Sequence, residues 1–428
     1  MSTVKTKEPI IGIIGMGYAG LPVACLFAKK YRVIGYDMNR QRIAQLKEGV
    51  DRGMDFSKET LLGLQRENLH VTDVMDDLLP CNFYVVVVPT PVDTNNKPDL
   101  SFVVSASQVV GKVIGKGDVA VYESTVYPGV TEEVCVPEIE RISGLKYNQD
   151  FFAGFSPERI DPSNKEHTIY NTVKITSGSN PDIAEYVDSV YGSVLEAGTC
   201  RAASIKVAEA AKILENTQRD VNIALMNEVS KIFSAMDIDT NKVIDAAATK
   251  WNFHSYRPGL VGGHCIGVDP YYLITKAETI GVEPELIRAA RRVNDTVPDY
   301  IATRLVNAMA AKGISVKDSS ILILGFTFKE NCPDVRNTRV YDIYNRLKQF
   351  TDHIIITDPL ADPTLTQKEY GLELFPMEAI AGQKYDAVLL CVRHSLFRGI
   401  NIKSLLKEPS VVYDVKSFLD DSIVDLKM

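Results

Sequence analysis

An unbroken apolar run, Ile10 to Ile14, stops at Gly15-Met16-Gly17-Tyr18-Ala19-Gly20 and leads into the helix-forming stretch Ala19 to Lys30. A strand that ends in G-x-G-x-x-G and opens a helix admits few folds. Such glycines permit a tight turn, close backbone approach to a pyrophosphate, and close helix–strand packing, with the helix N-terminus facing the negative charge. The next strand-like run, Tyr31 to Tyr36, ends at Asp37. A carboxylate there accepts hydrogen bonds from ribose hydroxyls and repels a 2′-phosphate, so the expected cofactor is NAD rather than NADP. Arg42 either lies over the adenine or is a surface residue of the following helix.

The same alternation continues. Phe83 to Val88 and Val119 to Glu123 read as further buried strands between helical stretches, which implies a parallel sheet covered on both faces. Pro89-Thr90-Pro91 and Ser124-Thr125 follow these strands. Carboxyl ends of strands are where open α/β sheets bind ligands, although the same residues also serve as plain turn punctuation. From Arg201 to Met236 there is no Pro or Gly, which predicts one long helix, and helical pattern continues to about Ala311. The strand–helix alternation restarts at Ser319, with strands over Ile321 to Gly325, His353 to Thr357, Ala387 to Val392 and Val411 to Val415. The fold class is therefore α/β: two Rossmann-like, doubly wound parallel-sheet domains, 1–200 and 313–428, joined by a helical middle domain, 201–312. The second copy lacks the second glycine of the turn and is not expected to bind a dinucleotide in the same way.

Composition narrows the function classes. The 428 residues carry a net charge of −8, which argues against a general nucleic-acid or anionic-membrane binder. No segment approaches the ~20 apolar residues of a membrane helix, and the N-terminal stretch lacks the apolar core of a secretory signal. The seven cysteines are scattered, with no C-x-x-C pair, which fits a reduced cytoplasmic protein without a metal centre and with mostly buried thiols.

Cys265 stands apart, because four glycines surround it in GLVGGHCIGVDP. Asp269 before Pro270 reads as an N-cap, so Cys265 lies just upstream of a helix start, a position that favours the thiolate. His264 is its neighbour in sequence, but adjacent side chains in an extended loop diverge, and His264 is not assigned as its base. On the long helix, Glu209, Lys212, Asn216 and Asp220 fall at spacings of three, four and four and share a face. One reading is a solvated stripe with intrahelical ion pairs. The other is a Lys and an Asn, one turn apart, that stabilise a developing alkoxide.

Taken in order, GMGYAGLP, VVPTPVD, ESTVYPG, SPERI, EAAKILENTQRDVNIA, GLVGGHCIGVDPYYL and GFTFKENCPDVRNTR resemble the nucleotide-sugar (UDP-glucose/GDP-mannose) 6-dehydrogenase family from about Pro9 to Lys416. The resemblance implies NAD on the first domain, the nucleotide sugar on the last, and a homodimer formed through the long helix. It implies two successive oxidations of C6, from alcohol to carboxylate. Cys265 matches the nucleophile that forms a thiohemiacetal and then a thioester. Lys212 and Asn216 match the residues that hold the sugar oxygen. Asp269, Thr125 and Glu158 match residues around the hydrolytic water, with Glu158 as general acid–base. Arg159, the loop Tyr256-Arg257 to Gly259 and Gly262, Phe328 and Lys329 match the substrate side, and Arg336 matches a cofactor contact reaching across a cleft. Pro162 stands where some relatives carry a second acid.

GGHCIGVDP, SPERI and FKENCPDVRNTR look most like the branch acting on UDP-N-acetylhexosamines, with UDP-N-acetylglucosamine first, UDP-N-acetylgalactosamine next, and UDP-N-acetylmannosamine or UDP-glucose after them. The family setting implies a precursor for capsule or lipopolysaccharide. Two other classes remain: a single-oxidation β-hydroxyacid dehydrogenase, against which the Cys265 loop argues, and a non-catalytic NAD-binding regulator.

Overall fold

The computed structural model describes residues 8–51, 56–159, 166–263 and 265–428; Pro162 and His264 lie outside them. The chain divides into two compact units, one of Met1–Glu215 with Tyr271–Gly281, the other of Asn216–Pro270 with Val282–Met428.

In the first unit, β1 (Ile10–Ile14), α1 (Gly20–Ala28), β2 (Arg32–Tyr36), α2 (Arg40–Lys47), α3 (Lys58–Glu67), β3 (Leu69–Thr72), β4 (Phe83–Val86), α4 (Ser101–Val113), β5 (Val119–Tyr122), α5 (Val136–Ser143) and β6 (Phe152–Phe155) follow one another. The six strands form one sheet in the order β3-β2-β1-β4-β5-β6, every pairing parallel. The order reverses between β1 and β4, the switch point at which such sheets bind ligands. Alternate residues face opposite sides. Ile11, Ile13, Phe83 and Val85 belong to one buried cluster, and Ile14, Tyr84, Val86 and Tyr122 to the other. That two-sided burial is why these strands read as continuous apolar runs. A small parallel pair, β7 (Lys174–Thr176) and β8 (Thr199–Arg201), flanks α6 (Pro181–Gly192).

The 31-residue helix α7 (Ile205–Ala235) follows, then α8 (Thr240–Ala247), α9 (Asp269–Thr279), α10 (Glu285–Asp295) and α11 (Val297–Ala311). The second sheet is built from β9 (Ile321–Leu324), α12 (Val340–Leu347), β10 (Ile354–Thr357), α13 (Pro363–Tyr370), β11 (Tyr385–Leu390), β12 (Leu406–Asp414) and β13 (Leu426–Lys427), in the all-parallel order β10-β9-β11-β12-β13.

The helical stretch over 201–312 lends apolar side chains to the clusters of both sheets. None of the buried apolar clusters among the described residues is made of it alone. Ile205 and Ala208 join a cluster of the first sheet, while Val297, Ile301, Leu305 and Met309 of α11 cover a face of the second. The described residues between 249 and 268 are not helical, and Pro258 with four glycines after it disfavours a helix in the second half of that stretch. Strand ends also retreat: β4 stops at Val86, because Val87 passes under Gly15, where a Cβ would meet the Val87 carbonyl oxygen at 2.3 Å.

Candidate functional site

The first glycine turn is built as its spacing requires. Gly15 has φ 99°, a left-handed value that penalises a side chain. A Cβ on Gly20 would strike the Gly15 carbonyl oxygen, whereas one on Gly17 would meet nothing within 4 Å. Gly17 thus opens onto free space at the N-terminus of α1, where Ala19 provides no side-chain cap and the first turn holds no acid. The N–H groups of this helix end and the helix dipole suit a pyrophosphate, so the residues present fit a dinucleotide. The Met16 side chain is buried against Gly35, and only its backbone lines the turn. Tyr18 is exposed.

Asp37 accepts the Met16 N–H at 2.9 Å and the Asn39 N–H at 2.8 Å, so it shapes the turn as well as facing solvent in part. Arg42 is neither free nor merely superficial: its Nε donates to the Met16 carbonyl at 2.9 Å, and its guanidinium pairs with Asp51. At the ends of β4 and β5, Pro89 is exposed while Thr90 and Thr125 are half-buried. The Ser124 hydroxyl accepts the Val88 N–H at 2.9 Å and joins the two strand ends. Glu158 is half-buried, and Arg159 donates to the Val173 carbonyl and to Glu215.

The polar stripe of α7 is not a solvated face. Glu209, Lys212, Asn216 and Asp220 are all buried, and Glu209, Asn216 and Asp220 bond to groups that lie off the helix. Glu209 accepts the Gly129 and Thr131 N–H groups at 2.6 and 2.9 Å; burial pushes its carboxyl up to about 7 against those bonds. Asn216 donates to the Asp269 carboxylate. Asp220 accepts from Arg291 and Asn294. An apolar stripe of the helix is turned outward instead, with Leu214 63% and Leu225 52% exposed, while Ile205, Ala208 and Ile213 are buried.

The cysteine loop lies within the second unit. Helix α9 begins at Asp269 itself, so Asp269 is its first helical residue rather than the residue ahead of it. The Cys265 carbonyl accepts the N–H groups of Val268 and Asp269 at 3.0 and 2.8 Å, which sets Cys265 one turn ahead of the helix. Cys265 is half-buried and forms no disulfide. Cys25, Cys81 and Cys135 are buried, and burial pushes each thiol up to about 12. Cys200 departs from the expected burial, since the edge strand β8 leaves it exposed.

Gly263 (φ 79°) donates to the Asn337 carbonyl at 3.2 Å, and a side chain on it would strike the Phe328 ring. Gly262 faces the same carbonyl of Asn337. Tyr256 is half-buried, while exposed Arg257 donates to Asn241 and pairs with Asp245. The Lys329 carbonyl accepts the Thr327 hydroxyl, and Arg336 is held bidentately by Asp334 of its own loop. Asn337 and Lys416 escaped the sequence reading. A side chain on Gly259 would meet the Lys416 ammonium at 3.3 Å, and burial pulls that lysine below its ordinary pKa. The available signal was position: Lys416 lies just past the carboxyl end of β12.

The second glycine turn repeats the first with its opening closed. Gly325 donates to Thr357 as Gly15 does to Tyr36, and Asp358 accepts the Phe326 and Thr327 N–H groups as Asp37 accepts that of Met16. Thr327 replaces Gly17, and Asp358 is fully enclosed beside His394. Burial raises the Asp358 carboxyl, but His394 and the two N–H groups outweigh it and hold it below its ordinary value. Among the described residues, no His, Cys, Asp and Glu cluster could hold a metal, and no helix is long and apolar enough to cross a membrane.

Three sequence models of the UDP-glucose/GDP-mannose dehydrogenase family match the chain: its NAD binding domain over residues 10–195, its central domain over 206–296 and its UDP binding domain over 322–421. The UDP-N-acetyl-D-glucosamine 6-dehydrogenase of Pseudomonas aeruginosa is 49% identical over 99% of this chain and 100% of its own length. That of Salmonella typhi is 49% identical over 98% and 99%, and the CapL protein of Staphylococcus aureus is 47% identical over 96% of each. Among solved structures, the UDP-D-ManNAc dehydrogenase of Pyrococcus horikoshii superposes with a TM-score of 0.89 at 27% identity, covering 97% of this chain and 98% of that one. Its domain order, its glycine turn and its matched length therefore make this chain a member of the UDP-glucose/GDP-mannose dehydrogenase family, with an NAD-binding domain at its N-terminal end.

Proposed function

We propose that this dehydrogenase oxidises C6 of a UDP-N-acetylhexosamine twice, to the uronic acid, with UDP-N-acetylglucosamine as the preferred substrate. The observation that carries the reading is Cys265, a half-buried thiol outside any disulfide and one turn ahead of a helix whose first residue, Asp269, is bonded to Asn216. The 49% identity to two UDP-N-acetyl-D-glucosamine 6-dehydrogenases, over nearly all of each chain, supports the choice of sugar over the N-acetylgalactosamine, N-acetylmannosamine and glucose nucleotides.

NAD, when bound, supplies the hydride acceptor for both oxidations. Gly15 to Gly20 and Asp37 hold it, with Met16 contributing backbone and Thr90, Ser124, Thr125 and Arg336 as further contacts. Lys212 and Asn216 hold the C6 oxygen and stabilise its negative charge. The Cys265 thiolate adds to the C6 carbon of the aldehyde, and the resulting thiohemiacetal loses its hydride to become a thioester. Water attacks that carbonyl, the C–S bond breaks, and the thiol is returned with the carboxylate product. Glu158, Thr125 and Asp269 manage the proton of the water. Arg159, Tyr256 to Gly262, Phe328, Lys329 and Lys416 bind the nucleotide sugar.

By function the chain divides into an NAD domain over 1–200, a catalytic and dimerisation segment over 201–312 and a UDP-sugar domain over 313–428. Two copies associate along α7. Val207, Leu214 and Val221 recur every seven residues on that helix, as do Leu225 and Ile232, and Val207, Leu214, Leu225 and Ile232 are exposed. That is the seam a two-helix contact needs. The enzyme works in the cytoplasm, and its product feeds surface-polysaccharide assembly, as the family resemblance implies.

The test counts NADH per sugar over a panel of UDP-hexoses and UDP-N-acetylhexosamines. Two NADH per UDP-N-acetylglucosamine, release of a uronate, and loss of sustained turnover in a folded Cys265→Ala variant are expected. One NADH per sugar, or a fully active Cys265→Ala enzyme, assigns the chain to single oxidation instead.

A further inference from the structure

We propose that Asn227, oriented by Asn294 and Asp220, is a positioning residue that sets the substrate loop 256–262. The inference deepens the reading above and rests on it for the identity of the ligand.

Asn227 is fully buried on α7, three turns beyond Asn216 and on the same side of the helix. Its side-chain amide treats Gly259 as a neighbouring strand would. Oδ1 accepts the Gly259 N–H at 2.7 Å, and Nδ2 donates to the Gly259 carbonyl at 3.0 Å. The second Nδ2 hydrogen goes to Asn294 Oδ1 at 2.8 Å. Rotating the amide by half a turn would set donor against donor at Gly259 and oxygen against oxygen at Asn294, so both partners fix which way it points.

Asn294 is oriented in turn. Its Nδ2 donates to Asp220 Oδ1 at 2.7 Å and to the Asp220 carbonyl at 3.0 Å. Arg291 donates to the same Oδ1 at 2.6 Å and, through its other nitrogen, to Asp295. An ion pair between α7 and α10 thereby dictates the orientation of two neutral amides and, through them, of one loop residue. Such a chain is fully specified only when each member has its partner.

The Gly259 N–H and one lone pair of its carbonyl are thus committed to Asn227, and the bond pair fixes what lies beside the glycine. On one side is the Lys416 ammonium, 3.3 Å from where a Gly259 side chain would stand. On the other is the run to Gly263, which is pinned to the Asn337 carbonyl. The loop is held at two points, and Asn227 supplies the first. Loss of that pin frees the segment ahead of Cys265 and loosens the seat of the nucleotide sugar, while the NAD turn in the first unit keeps its geometry.

The experiment compares Asn227→Ala, Asn294→Ala and the double variant in steady-state oxidation of UDP-N-acetylglucosamine. Each single variant is expected to raise the KM for the sugar nucleotide about tenfold, the loss of one or two buried hydrogen bonds, with the KM for NAD unchanged. The double variant is expected to match the worse single one, because Asn294 acts through Asn227. Lowered melting temperatures with an unchanged sugar KM, or effects that multiply, would overturn the proposal. If the variants do not fold, hydrogen exchange of the wild-type peptide over 256–262 decides, since Gly259 must be protected in the ligand-free enzyme and rapid exchange there overturns the proposal. Failure of the functional reading shows separately, as a wild-type enzyme that makes no NADH with UDP-sugars, and the exchange measurement still judges the clamp.

Discussion

Asn216 donates its side-chain amide to the Asp269 carboxylate, so a buried acid at the first residue of α9 is held by the long helix α7. The Asp269→Asn variant keeps an oxygen for that bond and loses the charge. It is expected to melt near the wild-type temperature and to lose about 10²–10⁴ in turnover, the usual worth of a positioned proton-transfer group. NADH production together with a melting curve checks this; normal turnover would leave Asp269 as a mere helix tie.

Asp37 acts on two levels, as a partner for ribose and as the acceptor of the Met16 and Asn39 N–H groups. Asp37→Ala should weaken NAD binding by roughly ten- to a hundredfold, the loss of charge-assisted bonds worth about 1.5–3 kcal/mol. The bias against NADP should relax. Titration with each cofactor measures both effects, and unchanged NAD affinity would remove Asp37 from the site.

Lys212 is buried on the same face as Asn216. The Lys212→Met variant retains the aliphatic stem and removes the charge that meets a developing alkoxide. Turnover should fall far more than the sugar KM rises, because the interaction strengthens only in the transition state. A variant with normal turnover and lower stability would make Lys212 a structural ion-pair residue.

Glu209 gives a pH signature. Its folded pKa, about 7, lies above the ordinary 4.5, with burial as the largest cause. Between those values the folded state binds more protons than the unfolded one, so this group's contribution to stability is complete below pH 4.5 and declines as pH rises to 7. Measured against Glu209→Gln, the wild-type protein should lose up to roughly 3 kcal/mol across that window and change little above it. A difference that does not vary with pH would show that Glu209 titrates normally.

Local chemistry made much of the chain legible. Strands β1, β4, β5 and β9 were visible because each is buried on two faces and therefore almost wholly apolar, whereas β3, with its exposed His70, and the short β13 carry no such run. The glycine turn was visible because Gly15 and Gly20 each face a carbonyl oxygen that tolerates no Cβ. The α7 stripe misled in its simpler reading, since a polar period along a helix does not say which side meets water. Glu209, Asn216, Asp220 and Asn227 are buried because backbone N–H groups, Asp269, Arg291 and Asn294 come from distant segments to satisfy them.

Sequence by itself therefore determined the principal buried strands, the long helix, the dinucleotide turn and the singular cysteine, all of which depend on residues within a few positions of one another. Tertiary structure alone decided that the polar face of α7 is the inner one. It also closed the second glycine turn over Asp358, left α11 to cover the second sheet, and committed Gly259 to Asn227. Each of these rests on partners dozens of residues apart. Burial of a polar group is favourable only where the fold delivers its hydrogen-bond partner, and no local pattern carries that information.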